Sequence, residues 1–305
     1  MAQDRKPLAL ITGVSSGIGL ELARIFAREG HDLVIGGQDE AKLTEAAAQL
    51  RAAGADVVTI AADLSRAEEV ERFHREATGD GRRIEIFCAN AGVGMGGGDF
   101  TQTDLNGELR LIDLNVRSQV HLTKLVLADM AGRGAGKILF TGSIASFMPG
   151  PFESVYSASK AFVHSFAEGL RNEWADRGIT VSVFMPGPTD TNFFHRAGMD
   201  DTPAGEGKKD DPAQVAAQAY KTLTGNRHHA FTGSLKTRLQ GKVTGALPQP
   251  LRASVHRGMT EPNDRRPVKQ AGVGKAAIAG GVALAAVGVA AAVGISRRNR
   301  IVEEI

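Results

Sequence analysis

Short apolar runs alternate with segments of helical periodicity over residues 7–184, and this alternation restricts the possible folds more than any other feature. The predicted strands are 8–12, 32–35, 56–60, 84–89, 137–141 and 179–184, with a last strand at 229–232. Apolar stripes predict one helix that begins at Ile18 and another that follows a capping box of Ser65 and Glu68. Further helices are predicted at 40–53, 103–130, 155–176 and 212–223. Strands joined by helical crossovers pair in parallel, with helices on both faces. The sequence therefore predicts an α/β fold with a doubly wound parallel sheet.

Composition and charge exclude several classes of protein. Of the 305 residues, 42% are hydrophobic and 23% are charged, which excludes a disordered or fibrous chain. A formal net charge of +2 gives no argument for nucleic-acid binding. The single cysteine, Cys88, lies in a predicted strand and cannot form an intramolecular disulfide, so we interpret it as a core thiol.

The regular pattern ends before the C-terminus. Residues 189–209 have little periodicity and predict a mobile loop. We assign 1–259 to one α/β domain, 260–275 to a polar linker, 276–295 to a hydrophobic segment and 296–305 to a charged tail.

The hydrophobic segment 276–295 contains no charged or polar side chain. As a helix it would measure about 30 Å, the thickness of a bilayer's hydrocarbon core. We predict a candidate transmembrane helix that attaches a cytoplasmic domain to a membrane. The alternatives are a flexible Ala/Gly-rich tail or a helix that packs in an oligomer.

A glycine-rich turn follows the first predicted strand directly and opens the first helix. A pyrophosphate must approach the backbone closely, which a Cβ would prevent, and free N–H groups at a helix N-terminus bind phosphate. The alternative is a tight turn without a ligand. The strand–turn–helix context favours a dinucleotide site. Its predicted contacts are Gly13, Ser15, Ser16, Gly17, Ile18 and Gly19.

The end of the second predicted strand bears on the choice between NAD and NADP. An acidic residue there would bind the ribose 2′-hydroxyl and repel a 2′-phosphate. Gly36, Gly37 and Gln38 occupy this place, without a carboxylate and without an arginine. We therefore favour NADP, with Gln38 as a contact, and keep NAD as the alternative.

Tyr156 and Lys160 are four residues apart in a predicted helix, so their side chains share one face. A free tyrosine titrates near ~10, and an adjacent ammonium together with an oxidised nicotinamide would favour its phenolate. Such a pair taken alone is more often a solvated surface pair. Ser143, however, ends the fifth predicted strand, at the edge where open α/β sheets bind ligands.

These motifs together resemble the short-chain dehydrogenase/reductase family, in its classical branch. The matching residues are the turn at 12–19, Asn90-Ala91-Gly92, Asn115, Ser143, Tyr156 with Lys160, and Pro186-Gly187. Their order and spacing agree over about residues 7–235. The resemblance implies a Rossmann-like domain that forms a homodimer or homotetramer through its long helices.

The resemblance also implies a role for each residue. Tyr156 would transfer a proton, Lys160 would lower its pKa and hold the nicotinamide ribose, and Ser143 would hydrogen-bond the substrate oxygen. Asn115 would hold a water that relays protons to Lys160. The other implied cofactor contacts are Asp63 and Leu64 at the adenine, then Asn90, Ala91, Gly92, Pro186, Gly187, Thr189 and Thr191.

Two further pairs of residues bear on possible binding sites. Phe147 and Phe152 lie between Ser143 and Tyr156 and predict an apolar substrate wall, with structural filler as an equal alternative. His228 and His229 have no carboxylate or cysteine nearby in sequence, so we predict an edge-strand pair and no metal site.

Two functional hypotheses remain. The first is an NAD(P)-dependent oxidoreductase that interconverts a small-molecule carbonyl and a secondary alcohol, with Tyr156 as acid/base; the hydrophobic tail suggests a lipid-like substrate. The second is a non-catalytic dinucleotide-binding sensor or scaffold on the same fold. The complete set of Ser143, Tyr156 and Lys160 argues against the second.

Overall fold

The computed structural model describes residues 6–265, and its sheet confirms the predicted α/β fold class. The strands are β1 (Leu8–Thr12), β2 (Asp32–Gly37), β3 (Val57–Ala61), β4 (Ile84–Ala89), β5 (Gly136–Thr141), β6 (Ile179–Pro186) and β7 (His229–Thr232). Within the described residues they form one parallel sheet in the order β3-β2-β1-β4-β5-β6-β7. The strand order reverses between β1 and β4, and in such sheets ligands bind at the carboxyl edge beside that reversal.

Helices cover both faces of the sheet. They are α1 (Gly17–Arg28), α2 (Glu40–Ala52), α3 (Ala67–Ala77), α4 (Leu105–Ile112), α5 (Ser118–Arg133), α6 (Ser154–Trp174), α7 (Phe193–Arg196), α8 (Pro203–Glu206), α9 (Pro212–Thr224), α10 (Leu235–Ala246) and α11 (Gln249–Thr260). The apolar sides of α1, α2 and α9 pack on one face, and those of α3, α5 and α6 pack on the other.

The strand sequences explain this double cover. In β1, Leu8 and Leu10 pack into the core under α3, α5 and α6, whereas Ala9 and Ile11 pack into the core under α1, α2 and α9. Successive side chains of a strand point to opposite faces, so a continuously apolar strand needs helices on both sides. Cys88 of β4 is buried in the second of these cores, as predicted.

The predicted helix at 103–130 is two helices joined by a π-helical turn. The helix begins at Leu105, where the Asp104 carboxylate accepts hydrogen bonds from the backbone N–H groups of Asn106 and Gly107. Residues Asp113–Arg117 form the π turn that separates α4 from α5, and Asn115 lies within it. Such turns are frequent at functional sites, and apolar periodicity does not reveal them.

The predicted capping box at Ser65 and Glu68 was wrong. The N-cap of α3 is Arg66, and its side chain makes no capping bond. The Ser65 hydroxyl donates to the Asp63 carboxylate at 2.7 Å instead, and Glu68 forms an ion pair with Arg66 at 2.5 Å. Ser65 and Glu68 therefore bind the nearer groups of Asp63 and Arg66 and do not cap the helix.

The prediction of a mobile loop at 189–209 was also wrong. The segment contains α7 and α8, and Phe194, Ala197 and Met199 form a small buried cluster. Its helices have four residues each, which is too short for apolar periodicity to show.

The packed chain continues past the predicted domain boundary at residue 259. Thr260 is buried and donates a hydrogen bond to the Pro151 carbonyl at 2.8 Å, so the first part of the predicted linker belongs to the domain. The rest of that linker, the hydrophobic segment 276–295 and the tail 296–305 lie outside the described residues. Between residues 6 and 265, no helix has both the length and the apolarity that a membrane crossing requires.

Candidate active site

A cavity of about 590 Å³ opens at the carboxyl edge of the sheet, where β1, β4, β5 and β6 end. It brings together most of the residues that the sequence predicts for the site. These are Gly13, Ser15, Ser16, Gly17, Ile18, Gly19, Gln38, Leu64, Asn90, Ala91, Gly92, Ser143, Tyr156, Lys160, Pro186, Gly187, Thr189 and Thr191. Asp63, Asn115, Phe147 and Phe152 do not line it.

The glycine turn leaves room that side chains would fill. Gly13 and Gly17 have φ angles of 74° and 62°, in the left-handed region that favours glycine. A Cβ on Gly19 would lie 2.2 Å from the Gly13 carbonyl oxygen. Ser16 is the N-cap of α1, yet its side chain makes no capping bond, so the first N–H groups of the helix remain available. This turn fits a bound pyrophosphate.

Asn90 ties the turn to the neighbouring strands. Its side-chain amide donates to the carbonyl oxygens of Thr12 at 3.1 Å and Gly13 at 3.2 Å, and its Oδ1 accepts from Thr141 Oγ1 at 3.1 Å. The ends of β1, β4 and β5 are thereby held in one arrangement at the floor of the cavity.

Tyr156 lies buried in the first turn of α6, and its ring packs against Phe193 at a centroid distance of 5.2 Å. The Ser143 side chain interacts with its hydroxyl. Burial raises the pKa of the phenol well above its usual value, the Glu153 carboxylate raises it further, and the interaction with Ser143 lowers it. The pKa of Tyr156 is thus raised, whereas the sequence analysis expected Lys160 to lower it.

The surroundings of Lys160 explain why its charge does not lower the pKa of Tyr156. The residue is 6% exposed, and its Nζ donates to the Thr141 carbonyl at 3.0 Å and lies 5.8 Å from the centre of the Tyr156 ring. Burial lowers the pKa of the ammonium to about 8. Removing two neighbouring groups from water disfavours the charged form of each.

Asn115 is held beside these groups by three hydrogen bonds. Its Oδ1 accepts from Val93 N at 2.9 Å, and its Nδ2 donates to Val93 O at 2.9 Å and to Ser159 Oγ at 3.1 Å. A Cβ on Gly92 would lie 3.1 Å from Asn115 Oδ1 and 3.4 Å from Lys160 Nζ. Gly92 therefore allows Asn115 and Lys160 to face the same point.

Asp63 does not line the cavity, although its neighbours Ala62 and Leu64 do. Its carboxylate accepts from the Ser65 hydroxyl and from Arg110 Nη2 at 2.9 Å. Burial raises the pKa of this carboxyl, but the hydrogen bonds from Ser65 and the charge of Arg110 outweigh it and hold the pKa below its usual value.

Phe147 and Phe152, the predicted substrate wall, do not line this cavity. The Phe147 ring packs against His164 and Phe231, at centroid distances of 4.6 and 5.5 Å, and Phe152 lies under the guanidinium of Arg257. The wall near Tyr156 is formed instead by Val93, Glu153, Phe193, Met199, His256 and Met259. Sequence reasoning missed these residues because several belong to α7, its flank or α11, which contribute only through long-range packing.

The fold and the cavity together define a dinucleotide-binding α/β protein of the Rossmann-like class. A sequence model described as short chain dehydrogenase matches residues 7–201. This chain belongs to the short-chain dehydrogenase family of oxidoreductases, which act on carbonyl and alcohol groups.

Individual relatives agree with this assignment. An uncharacterised oxidoreductase of Staphylococcus saprophyticus is 32% identical over 229 residues, which cover 75% of this chain and 95% of that protein. A short-chain dehydrogenase of Sphingobium yanoikuyae, solved in complex with NADPH, is 34% identical with a TM-score of 0.69, covering 74% of this chain and 87% of the other. A short-chain dehydrogenase/reductase of Burkholderia phymatum, solved with NAD, is 25% identical with a TM-score of 0.68, covering 76% and 90%.

Proposed function

We propose that this chain is an NAD(P)-dependent oxidoreductase that interconverts a carbonyl and a secondary alcohol. The observation that carries the proposal is a buried Tyr156 hydroxyl beside Ser143, at one end of a cavity whose other end is the glycine turn. The dinucleotide supplies or accepts the hydride when bound.

The protein's own residues bind the dinucleotide and orient it. The turn at Gly13–Gly19 and the N-terminus of α1 hold the pyrophosphate, and Asn90, Ala91 and Gly92 line the path towards the nicotinamide. Lys160 holds the nicotinamide ribose, since its Nζ uses only one of its donors on the Thr141 carbonyl.

Tyr156 is the proton donor in carbonyl reduction. Its raised pKa keeps the phenol protonated at neutral pH, which suits a group that gives a proton to the carbonyl oxygen. Ser143 hydrogen-bonds the same oxygen and stabilises the charge that develops on it. In alcohol oxidation the phenol must first lose its proton, and the Lys160 ammonium favours that loss. Asn115, fixed beside Lys160, positions the water through which protons reach it.

The cofactor preference is for NADP, with NAD as the second choice. β2 ends at Gly37 and Gln38 follows it, and neither position has a carboxylate that would repel a 2′-phosphate. Asp39 also lines the cavity, but its carboxylate is paired with Lys42 at 2.8 Å.

Replacing Tyr156 tests the proposal. Tyr156→Phe is expected to lower kcat by at least about 10²-fold, because the proton donor is lost while the ring's packing is kept. Turnover is measured as NADPH oxidation with a panel of ketones and aldehydes, and NADPH binding is measured by fluorescence and should persist. Tyr220→Phe is the matched control, since Tyr220 is the only other tyrosine in the chain and lies on α9.

Undiminished turnover in Tyr156→Phe would refute the proposed role. A wild-type protein that binds NADPH but reduces no carbonyl would instead favour the sensor hypothesis.

A homodimer or homotetramer is proposed on the basis of apolar side chains left in solvent. Leu105 and Leu109 of α4, Val120 of α5 and Phe162 of α6 are 64%, 50%, 37% and 38% exposed. Light scattering of the full chain tests this proposal: a monomer at micromolar concentration would refute it.

A further inference from the structure

The solvent face of α10 has an exposed pair of leucines at its centre. Leu235 and Leu239 are 80% and 64% exposed. They are four residues apart, so their side chains lie next to each other on one face of the helix. Single exposed leucines are ordinary on protein surfaces, whereas an adjacent pair forms an apolar patch that can contact a partner.

The opposite face of α10 packs on the domain and fixes the orientation of the leucine pair. Thr237 Oγ1 donates to the Asp210 carboxylate at 2.7 Å, and a Cβ on Gly241 would lie 2.3 Å from the Phe231 ring. Thr244 is buried one turn further along the same face. The helix cannot turn its leucines inwards without losing these contacts. The leucine pair is therefore a fixed feature of the surface.

Three cations surround the leucine pair. Arg238 and Lys242 lie along one side of it, and Lys236 lies along the other side. All three are exposed, and none of them forms an ion pair within residues 6–265. The stretch 234–260 contains five Lys and Arg residues and no Asp or Glu. The face is thus positively charged without an acidic residue of its own stretch to balance it.

This charge argues against two occupants that belong to the chain itself. In a two-fold dimer the same patch meets itself, so contact through α10 would bring like charges together, which is unfavourable. The tail 296–305 has three arginines against two glutamates, and the segment 276–295 has no charge. A partner with negative charge is required.

A membrane that contains anionic lipids has both of the properties that this face requires. Its phosphate groups attract Lys and Arg side chains, and the boundary between headgroups and acyl chains accepts leucine side chains. A nucleic acid offers phosphates, but it has no apolar layer to receive two leucines. The uncharged segment 276–295 lies in the same C-terminal part of the sequence and has the length of a membrane span.

We propose that the solvent face of α10 lies on an anionic membrane surface, with its two leucines between the headgroups and its three cations at the lipid phosphates. Contacts of this number bind weakly and reversibly by themselves, so they orient the domain at the membrane and do not anchor it. A Cβ on Gly187, a residue of the cavity wall, would lie 2.4 Å from Thr237 Cγ2 on the inner face of α10. The cavity wall is therefore about one helix diameter, about 10 Å, from the lipid.

A fluorophore at residue 239 tests this inference without reference to the proposed activity. Leu239→Cys can be labelled selectively, because Cys88 is the only other cysteine and is fully buried. The labelled full-length protein is mixed with an excess of phosphatidylcholine vesicles that contain or lack phosphatidylglycerol. Nitroxide-bearing lipids in the vesicles quench a label that enters the headgroup layer. We expect a blue shift of the emission, and quenching that is at least about fivefold stronger on the anionic vesicles.

Variants show whether the cations of α10 cause the binding. Lys236→Gln, Arg238→Gln and Lys242→Gln are combined in the labelled protein. Quenching should fall at least about fivefold, because each cation near an anionic surface changes the affinity by about that factor. Leu109→Cys with the same label is the matched control. Leu109 is 50% exposed on α4, outside the basic face, and its label should not be quenched by either kind of vesicle.

The outcomes separate a membrane from other occupants of this face. A label at residue 239 that is not quenched on anionic vesicles refutes the inference, whether or not the tail binds the same vesicles. Emission that is already blue-shifted before vesicles are added would mean that another part of the chain, or a second copy, covers α10, and also refutes it. Quenching that persists in the triple Gln variant refutes it as well. Carbonyl reduction, assayed on the same preparations, decides the proposed function independently.

Discussion

Lys160→Met is expected to make the dinucleotide-free protein more stable while it abolishes turnover. Lys160 is 6% exposed, and burial lowers its pKa from 10.5 to about 8. Such a shift corresponds to about 3 kcal/mol of destabilisation at neutral pH. The Thr141 carbonyl loses its Lys160 donor in the variant, which costs about 1 kcal/mol. The net expectation is a gain of about 2 kcal/mol in the free energy of unfolding at pH 7.

The pH dependence of this gain has a definite sign. Below pH 8 the lysine is charged in both the folded and the unfolded chain, so the folded state bears the whole cost of burying the charge. Between pH 8 and 10.5 the unfolded chain binds the proton more tightly, and the wild type becomes more stable relative to the variant as pH rises. Above 10.5 the cost of burying the charge is gone and only the lost hydrogen bond to Thr141 remains, so the advantage of Lys160→Met should vanish and the variant should become less stable than the wild type by about 1 kcal/mol.

Guanidinium unfolding at fixed protein concentration, at pH 7 and at pH 10, measures both quantities. Lys124→Met is the matched control, because Lys124 is exposed on α5 and its replacement should change stability by less than about 0.5 kcal/mol. A Lys160→Met protein that is less stable than the wild type at pH 7, or a difference that does not change with pH, would refute the reasoning.

Three further predictions concern cofactor choice, proton transfer and the C-terminus. Gln38→Arg should raise the NADPH-over-NADH ratio of kcat/KM by at least about tenfold, because a guanidinium would bind the 2′-phosphate. An unchanged ratio would contradict the placing of the 2′-phosphate beside residue 38. Glu153→Gln removes a charge that raises the pKa of Tyr156, so the pH–rate profile of alcohol oxidation should move to lower pH, and a profile that stays in place would count against that interaction. Deletion of 270–305 should release the protein from the membrane fraction, which assumes that the hydrophobic segment is an anchor. A full-length protein that is already in the soluble fraction would exclude the anchor.

The sequence predicted the sheet well because strand patterns are local. Every predicted strand ends within two residues of its position in the structure, and the last strand at 229–232 matches β7. The glycine turn could be predicted equally well from the sequence, because its φ angles depend on the residue types at only a few neighbouring positions.

Local patterns failed where two interpretations share the same periodicity. The π turn around Asn115 interrupts a helical stripe without altering which residues are apolar, so one helix was predicted in place of two. Ser65 and Glu68 have the spacing of a capping box, but Asp63 and Arg66 provide nearer partners. Phe147 and Phe152 lie close to Tyr156 in sequence, yet their rings pack elsewhere.

By itself, the sequence determined the parallel sheet, the glycine turn after β1 and the placement of Tyr156 and Lys160 on one helix, because each depends on residues within one or two adjacent elements. Tertiary structure alone decided which residues line the cavity and in which direction the pKa of Tyr156 shifts. His256 reaches Glu153 only after α11 has packed against the segment before α6. The charged state of a phenol depends on how completely the folded chain excludes water from it, and no spacing of residues records that burial.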